Sequence, residues 1–499
     1  MNIVEAIGRN ALFHPDSPAW IGPPGELTYG QLMGQVAWLA SQLAAAGISQ
    51  DDRVELQVFG ARPMIVATLA LAYLGAVSVA LPKGNRGDGR EELARACGVK
   101  FIVHNLPADR AQRLGTACPL ISLQDLDAQR KAAPRVRMAD VAPDALWRIG
   151  TSSGTTGQPK AMGFTAGALI VGAHLVRTVY PNFPTDRVLI AMGAGMPFAF
   201  HYWLRPLYAG AAVTVPETLV ARDIFETLRR ERITVMITTP STAVDLANAA
   251  SKPGSPYAEP TEHLRVLASG GGAITPATQA ALRRHVCPGF TVNYGSSEGG
   301  LIAVADAALQ ETDPKCAGRL LPWMELQAVD DAGAPLPAGK TGRLRLRSPT
   351  MASGYIGAQA GEDAEGFRGG WFYSGDFGKV ARDGRVYLSG RKSDVINLSG
   401  AKIDASRVEA VVAQDSLVTE CAVLVVPGPR NKDILVVVVA AREPVDKEAI
   451  VQRCGDQLGA AWRPRAIVRV DKLPRNEAGK VMRERLRKNI RFGEGSTVQ

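Results

Sequence analysis

Between residues 187 and 296, short apolar runs alternate with amphipathic ones. RVLIAM from 187, AAVTVP from 211, ITVMITTP from 233, LRVLASGGG from 264 and FTVNYG from 290 have the length and β-branched content of buried strands. Between them, ARDIFETLRRER from 221 and TPATQAALRRHV from 275 space their apolar residues as a helix with one buried face does. Buried strands separated by helices predict an α/β fold of mostly parallel, helix-covered sheets, with loops after the strand ends forming a ligand crevice. The turns SGGG and YGSSEGG both follow such strands.

MIVATLALAYLGAVSVAL, residues 64–81, holds eighteen residues without a charge, the lower limit for a membrane span. Gly75 divides it into a helix through about Leu74 and a β-branched strand, which predicts a buried helix-to-strand unit instead. After about residue 320 the pattern shortens to strands and turns, as in GRLRLRSP from 342 and GRVYLSGR from 384, and predicts a small β-rich subdomain. Beyond it, DASRVEAVVAQ reads as a helix, and ECAVLVVPG and ILVVVVAAREP as strands, of a compact α+β domain. The sequence carries no internal repeat.

A length of 499 residues exceeds one hydrophobic core, so at least two domains are expected, and 46% hydrophobic with 21% charged residues is ordinary for a soluble globular protein. The net charge of +9 favours anionic ligands. Because the basic residues are scattered, no nucleic-acid partner is expected. The six cysteines form no CxxC pair, which argues against a zinc site or a disulfide framework and fits a reducing cytoplasm. MNIVEAIGRN lacks the apolar core of a signal peptide, so a cytoplasmic location is expected.

Candidate chemistry begins with TSSGTTGQPK, residues 151–160. Gly154 and Gly157 allow backbone angles closed to other residues, and the hydroxyls of Thr151, Ser152, Ser153, Thr155 and Thr156 add donors that suit a phosphate chain. Lys160 would supply a point charge. A flexible surface loop has the same composition, and these ten residues alone leave both readings open. The GxxxxGK[ST] phosphate loop does not fit, because Pro159 replaces its second glycine and Ala161 its metal-binding hydroxyl.

Four further stretches gather polar residues at glycine-rich turns: NYGSSEGG with Glu298, WFYSGDFG with Asp376, GRKSD with Arg391 and Asp394, and PRNEAGKVMRERL with Lys480. Singly, each has a plain alternative as a turn-former, a solvated acid, a salt-bridge partner or an exposed lysine. Their joint, ordered occurrence is more specific.

In order and spacing, TSSGTTGQPK, YGSSEGG, YSGDFG, GRKSDVINLSGAKI and PRNEAGK resemble the signatures of the adenylate-forming superfamily, which includes acyl-CoA synthetases, nonribosomal adenylation domains and beetle luciferases. The resemblance runs from LTYGQL at 27 to GKVMRERL at 479, and is closest in type to acyl-CoA synthetases. It implies a large N-terminal domain over 1–392, with its β-rich part at about 320–392, and a small mobile C-terminal lid over 393–499. It also implies a ligase reaction in two halves. A carboxylate attacks the α-phosphate of ATP, giving an acyl-adenylate and pyrophosphate, and a thiol then takes the acyl group.

Carried over by resemblance, the loop from Thr151 to Lys160 holds the β- and γ-phosphates, and Glu298 binds magnesium. Asp376 and Arg391 hold the ribose. Gly270, Gly271 and Gly272 lie along the adenine and the acyl pocket, Tyr294 stacks near the base, and Gly295, Ser296 and Ser297 adjoin it. Lys480 bridges carboxylate and α-phosphate, where a positioned ammonium lowers the cost of bringing two anions together. Asp394 is the hinge about which Lys480 leaves and the loop bearing Ser399 and Gly400 enters for thiol transfer. His201, in MPFAFHYWL, matches a histidine that gates the carboxylate pocket, although a lone histidine in an apolar run also reads as core. Ala161, Ala166 and Asn397 depart from the family pattern and loosen what it implies for the thiol step.

MPFAFHYWL contains no acid to meet the ammonium of an amino acid. Phe198, Phe200, Tyr202 and Trp203 suggest an apolar acyl or aryl acid, with the alternative that they are core, and Gly299 and Gly300 suggest room for a longer chain. The implied cofactors are ATP, Mg2+ and CoA, or the phosphopantetheine arm of a separate acyl or aryl carrier protein in place of CoA. A non-catalytic acyl-adenylate-binding relative stands as the alternative of a different class.

Overall fold

The computed structural model describes residues 2–81, 88–114, 118–129, 134–152, 160–192, 199–357, 366–391, 395–398, 401–427, 433–441, 443–475 and 481–489. Among them, fourteen strands form one sheet and seven a second.

Alternation within single strands explains the layering. In Arg187–Ala191, Val188 and Ile190 face one way and Leu189 and Ala191 the other, and all four are buried, so both faces of this sheet need cover. Val188 and Ile190 share a core with Phe200, Trp203 and Leu204 of the helix Ala199–Ala209. Leu189 and Ala191 share another with Ile224, Leu246 and Leu282, from the helices Ala221–Arg230, Pro240–Ala250 and Pro276–His285. The first core also takes in Val54 and Phe164 of the second sheet. The helix Ala199–Ala209 therefore lies between two sheets.

Strand order positions the crevice. Ala212–Thr214 lies parallel on one side of Arg187–Ala191 and Val235–Thr238 on the other, followed by Val266–Gly270 and Phe290–Ser296. The chain thus reverses its direction of travel across the sheet at Arg187–Ala191, and ligand crevices open beside the carboxyl ends of strands at such a point. Pro240 and Gly270–Gly272 leave from those ends.

In the second sheet Val77–Val79 is parallel to both Arg53–Gln57 and Leu146–Ser152, and Lys160–Thr165 runs antiparallel to the last. Ser152 pairs with Lys160, so the two ends of the TSSGTTGQPK stretch are held side by side. The uncharged stretch becomes the helix Ala61–Tyr73, a turn at Gly75 with φ of 71°, and the strand Val77–Val79. Among the described residues no helix is long and apolar enough to cross a membrane.

The β-rich region has a core of its own around Leu326, Leu344, Leu346 and Phe372, but its strands extend the fourteen-stranded sheet. Gly318–Leu320 makes the join, pairing with Gly300–Ala305 on one side and Arg385–Arg391 on the other. A Cβ at Gly318 would stand 2.6 Å from the Val304 backbone, so only glycine allows this approach.

Toward the C-terminus Val418–Pro427, Asp433–Ala441 and Ala466–Val470 form a separate three-stranded sheet. Leu435, Val437 and Val439 share a core with the helices Ala405–Val412 and Lys447–Leu458, while Val436 and Val438 share one with Leu473 and Leu486. Lys472 Nζ reaches Asp245 Oδ2 of Pro240–Ala250 at 2.6 Å, joining this unit to the large sheet's helix layer.

Candidate active site

The strand Phe290–Ser296 is the axis of the site. Asn293 pairs with Gly270, where a Cβ would stand 3.0 Å from that of Asn293, so the strand end needs glycine. Gly271 follows with φ of 100°, and Gly272 lies against Pro240. The Tyr294 hydroxyl donates to Asp376 Oδ2 at 2.7 Å, and both residues are buried. Asp376 is in backbone register with Arg391 across Trp371–Val380 and Arg385–Arg391. Tyr294, Asp376 and the Arg391 backbone therefore converge, although 82 residues separate the first two.

After this strand the chain turns tightly. Gly299 N–H donates to Ser296 Oγ at 2.9 Å, and Ser297 is part-exposed. Gly295 approaches the Gly300 carbonyl so closely that a Cβ would stand 2.4 Å from it. The turn delivers Glu298, a buried carboxylate whose Oε1 accepts from the Tyr355 hydroxyl at 3.2 Å. Tyr355 pairs with Met162 on the strand that begins at Lys160, and Lys160 Nζ lies 5.1 Å from the Tyr355 ring centroid. Lys160 and Glu298 thus meet at Tyr355, a residue sequence reasoning missed because nothing local marks a two-residue strand.

The donor set around Glu298 suits magnesium carrying phosphates. Among the described residues no group of three or more His, Cys, Asp or Glu forms an all-protein cage. Magnesium in nucleotide sites is usually held by one or two carboxylates plus phosphate oxygens and water, and Glu298, with one tyrosine on one oxygen, is such a carboxylate. The ion would supply positive charge to the phosphates.

His201 lies on the helix between the sheets, with ring centroids 3.8 Å from Phe200 and 5.3 Å from Phe164. Burial pushes its imidazole well below the ordinary value, and the charges of Arg205 and Arg148 press it further down. The ring is therefore neutral at physiological pH. Both arginines escaped the sequence reading, although Arg148 is a lone charge in the apolar run LWRIG and Arg205 stands one helical turn beyond His201.

The structure places three other candidates in packed surroundings. Thr151 is buried and its hydroxyl donates to the Ala80 carbonyl at 3.3 Å, which anchors the base of the hairpin. Phe200 and Trp203 are 2% and 4% exposed core residues of the central helix layer, leaving only Tyr202 of the described aromatics part-exposed. On the side where a Cβ would stand, Gly299 meets Leu346 at 2.9 Å, whereas at Gly300 the nearest atom is Thr350 Oγ1 at 3.5 Å. Ser153, Gly154, Thr155, Thr156, Gly157, Phe198, Asp394, Ser399, Gly400 and Lys480 lie outside the described residues, as do the side chains of Ser152 and Arg391.

The model of the AMP-binding enzyme family matches residues 8–356, and that of the AMP-binding enzyme C-terminal domain matches residues 407–480. Indoleacetate-CoA ligase of Aromatoleum aromaticum is 27% identical over 98% of this chain and 98% of its own length. Salicyl-AMP ligase / salicyl-S-ArCP synthetase of Mycobacterium tuberculosis is 26% identical over 94% of this chain and 86% of that enzyme. Among solved structures, an amide bond synthetase of Marinactinospora thermotolerans superimposes with a TM-score of 0.83 at 25% identity, covering 97% of this chain and 99% of that one. The fold and site define an adenylate-forming enzyme. The chain belongs to the AMP-binding enzyme family, whose members similar to it include aryl- and acyl-CoA ligases.

Proposed function

We propose that this protein activates an acyl or aryl carboxylic acid with ATP and transfers it to CoA. A carboxylate oxygen forms a bond to the α-phosphorus while the bond from that phosphorus to the bridging oxygen breaks, and pyrophosphate leaves with the electron pair. The CoA thiol then gives up its proton to solvent as its sulfur bonds to the acyl carbon, the bond from that carbon to the bridging oxygen breaks, and AMP leaves with that oxygen and the electron pair. The nucleophile of the first half is ionised at neutral pH, so no general base is required. The observation that supports this reading is the meeting of Lys160 and Glu298 at Tyr355, with the Tyr294–Asp376 pair on the strand that leads into the Glu298 turn, an arrangement of cation and carboxylates suited to a nucleotide and its metal.

In this reading the stretch from Ser152 to Lys160 wraps the leaving pyrophosphate, Asp376 and Arg391 hold the ribose, and the glycines at 270–272 border the adenine. Residues 1–392 form the catalytic body and 393–499 the lid, which turns at Asp394 so that Lys480 serves the first half and Ser399 and Gly400 the second. The body of the acid lies along Tyr202 and the neutral His201.

Pyrophosphate release from a panel of fatty, aryl and amino acids, repeated with CoA and with holo carrier protein, tests the proposal. Acyl-CoA formation is expected. The Mycobacterium tuberculosis relative, named for a carrier-protein acceptor, supports carrier loading as the second reading, and acyl-adenylate that reacts only with holo carrier would establish it. Silence with every acid would favour a non-catalytic binder.

A further inference from the structure

Among the described residues, Arg148 and Arg205 are two cations set against aromatic rings with no carboxylate in contact. Arg148 is 4% exposed, and its Cζ lies 4.3 Å above the Phe200 ring. Its Nη1 donates to Ser78 Oγ at 3.1 Å, while its Nε is buried without a hydrogen-bond partner. Arg205 Cζ lies 5.9 Å from the Tyr202 ring centroid. Among the described residues neither guanidinium has a carboxylate partner. The neighbouring sequences 153–159, SGTTGQP, and 193–198, GAGMPF, contain no Asp or Glu.

Burying an unneutralised cation is costly, and both guanidinium charges bear on the same His201 ring. Burial pushes Arg148 down to about 9 and Arg205 below its ordinary value, and a guanidinium keeps its proton in proteins. His201 and Tyr202 adjoin them but, being neutral, compensate neither. Such a pair suits an anion supplied from outside the chain. Phosphates fit poorly as its source, because Lys160 and Glu298 gather at Tyr355, whereas the arginines stand among Phe200, Tyr202 and His201 on the helix between the sheets.

We propose that Arg148 and Arg205 bind a second anionic group of the acid substrate, which makes that substrate a dicarboxylic or otherwise dianionic aryl or acyl acid. The inference rests on the acid-activating reading above. Arg205 stands four residues beyond His201, about 6 Å further along the helix, so the second anion lies about one helical turn from a carboxylate held at His201. The aromatic neighbours favour a short, flat spacer between the two groups.

Matched acids test the idea by pyrophosphate release: benzoate against isophthalate and terephthalate, phenylacetate against 4-carboxyphenylacetate, and butanoate against glutarate. In at least one pair the dianionic member should lead in kcat/KM by roughly thirtyfold or more, the advantage of a charge-assisted contact in a desolvated site. Arg205→Met should collapse that ratio by raising KM for the dianionic acid, and Arg205→Lys should keep part of it. Arg205 is part-exposed, so its variants serve even where Arg148→Met fails to fold. Turnover of the monoacids at equal or greater efficiency overturns the inference and leaves the functional reading standing. So does an Arg205→Met defect that falls on the KM for ATP or equally on both members of a pair. No pyrophosphate from any acid, mono- or dianionic, overturns both.

Discussion

The Tyr294 hydroxyl donates to the Asp376 carboxylate at 2.7 Å, tying the last strand of the parallel array to the antiparallel extension of the same sheet. A carboxylate at 3% exposure depends on such a donor. Tyr294→Phe keeps the ring and removes the proton, which should lower stability by about 1–3 kcal/mol. Because Asp376 is the ribose carboxylate of the proposed site, KM for ATP should rise more than KM for the acid. Thermal melts and initial rates of pyrophosphate release check the two effects separately.

Glu298 offers a sharper contrast with its neighbour. Glu298→Gln retains an oxygen that accepts from Tyr355 but removes the charge, so adenylate formation should fall by about two orders of magnitude, the scale of losing a preorganised electrostatic group. The magnesium concentration for half-maximal rate should rise in the same variant. Tyr355→Phe removes one neutral hydrogen-bond donor, and a loss within about tenfold is expected. A magnesium titration of all three proteins decides whether the carboxylate acts through the ion.

What the sequence disclosed followed how each residue works. Strand and helix periods made the parallel array legible, and Glu298 and Asp376 lie in glycine turns whose composition announces them. Tyr355 and Arg148 do their work through partners 57 and 70 residues away, a relationship no local window contains. Phe200 and Trp203 left two readings open because an apolar helix between two sheets and an apolar substrate pocket select the same residue types, and both lie in the core. The short strands and turns of the β-rich region are legible in its pattern, yet its union with the large sheet turns on Gly318 and the approach it allows to Val304, which composition cannot signal.

His201 should leave a mark on the pH dependence of stability. Its folded pKa lies well below the ordinary 6.5, chiefly through burial, so the unfolded chain binds the proton more readily than the folded one. Its contribution is then complete above about pH 6.5 and is lost as pH falls below that value. The wild-type Tm should decline between about pH 7.5 and pH 5.5. His201→Gln should flatten part of that decline, read by thermal melts across the range. An unchanged slope would remove histidine protonation as its source.

The contact between Lys472 and Asp245 and the role proposed for Lys480 make opposite demands on mutation. Both Lys472 and Asp245 are solvent-exposed to a substantial degree, so their 2.6 Å ion pair is worth under about 1 kcal/mol. Asp245→Asn should therefore change either half-reaction by less than about fivefold, an effect that fades with added salt. Lys480→Ala removes an ammonium proposed to stand between two reacting anions, and should slow adenylate formation by roughly a hundredfold or more. In the proposed second half-reaction Lys480 turns away, so thioester formation from preformed acyl-adenylate and CoA should stay within about threefold of wild type, well short of a transition-state contact. Single-turnover measurements of each half separate the cases, and an equal loss in both would take Lys480 out of the adenylation step.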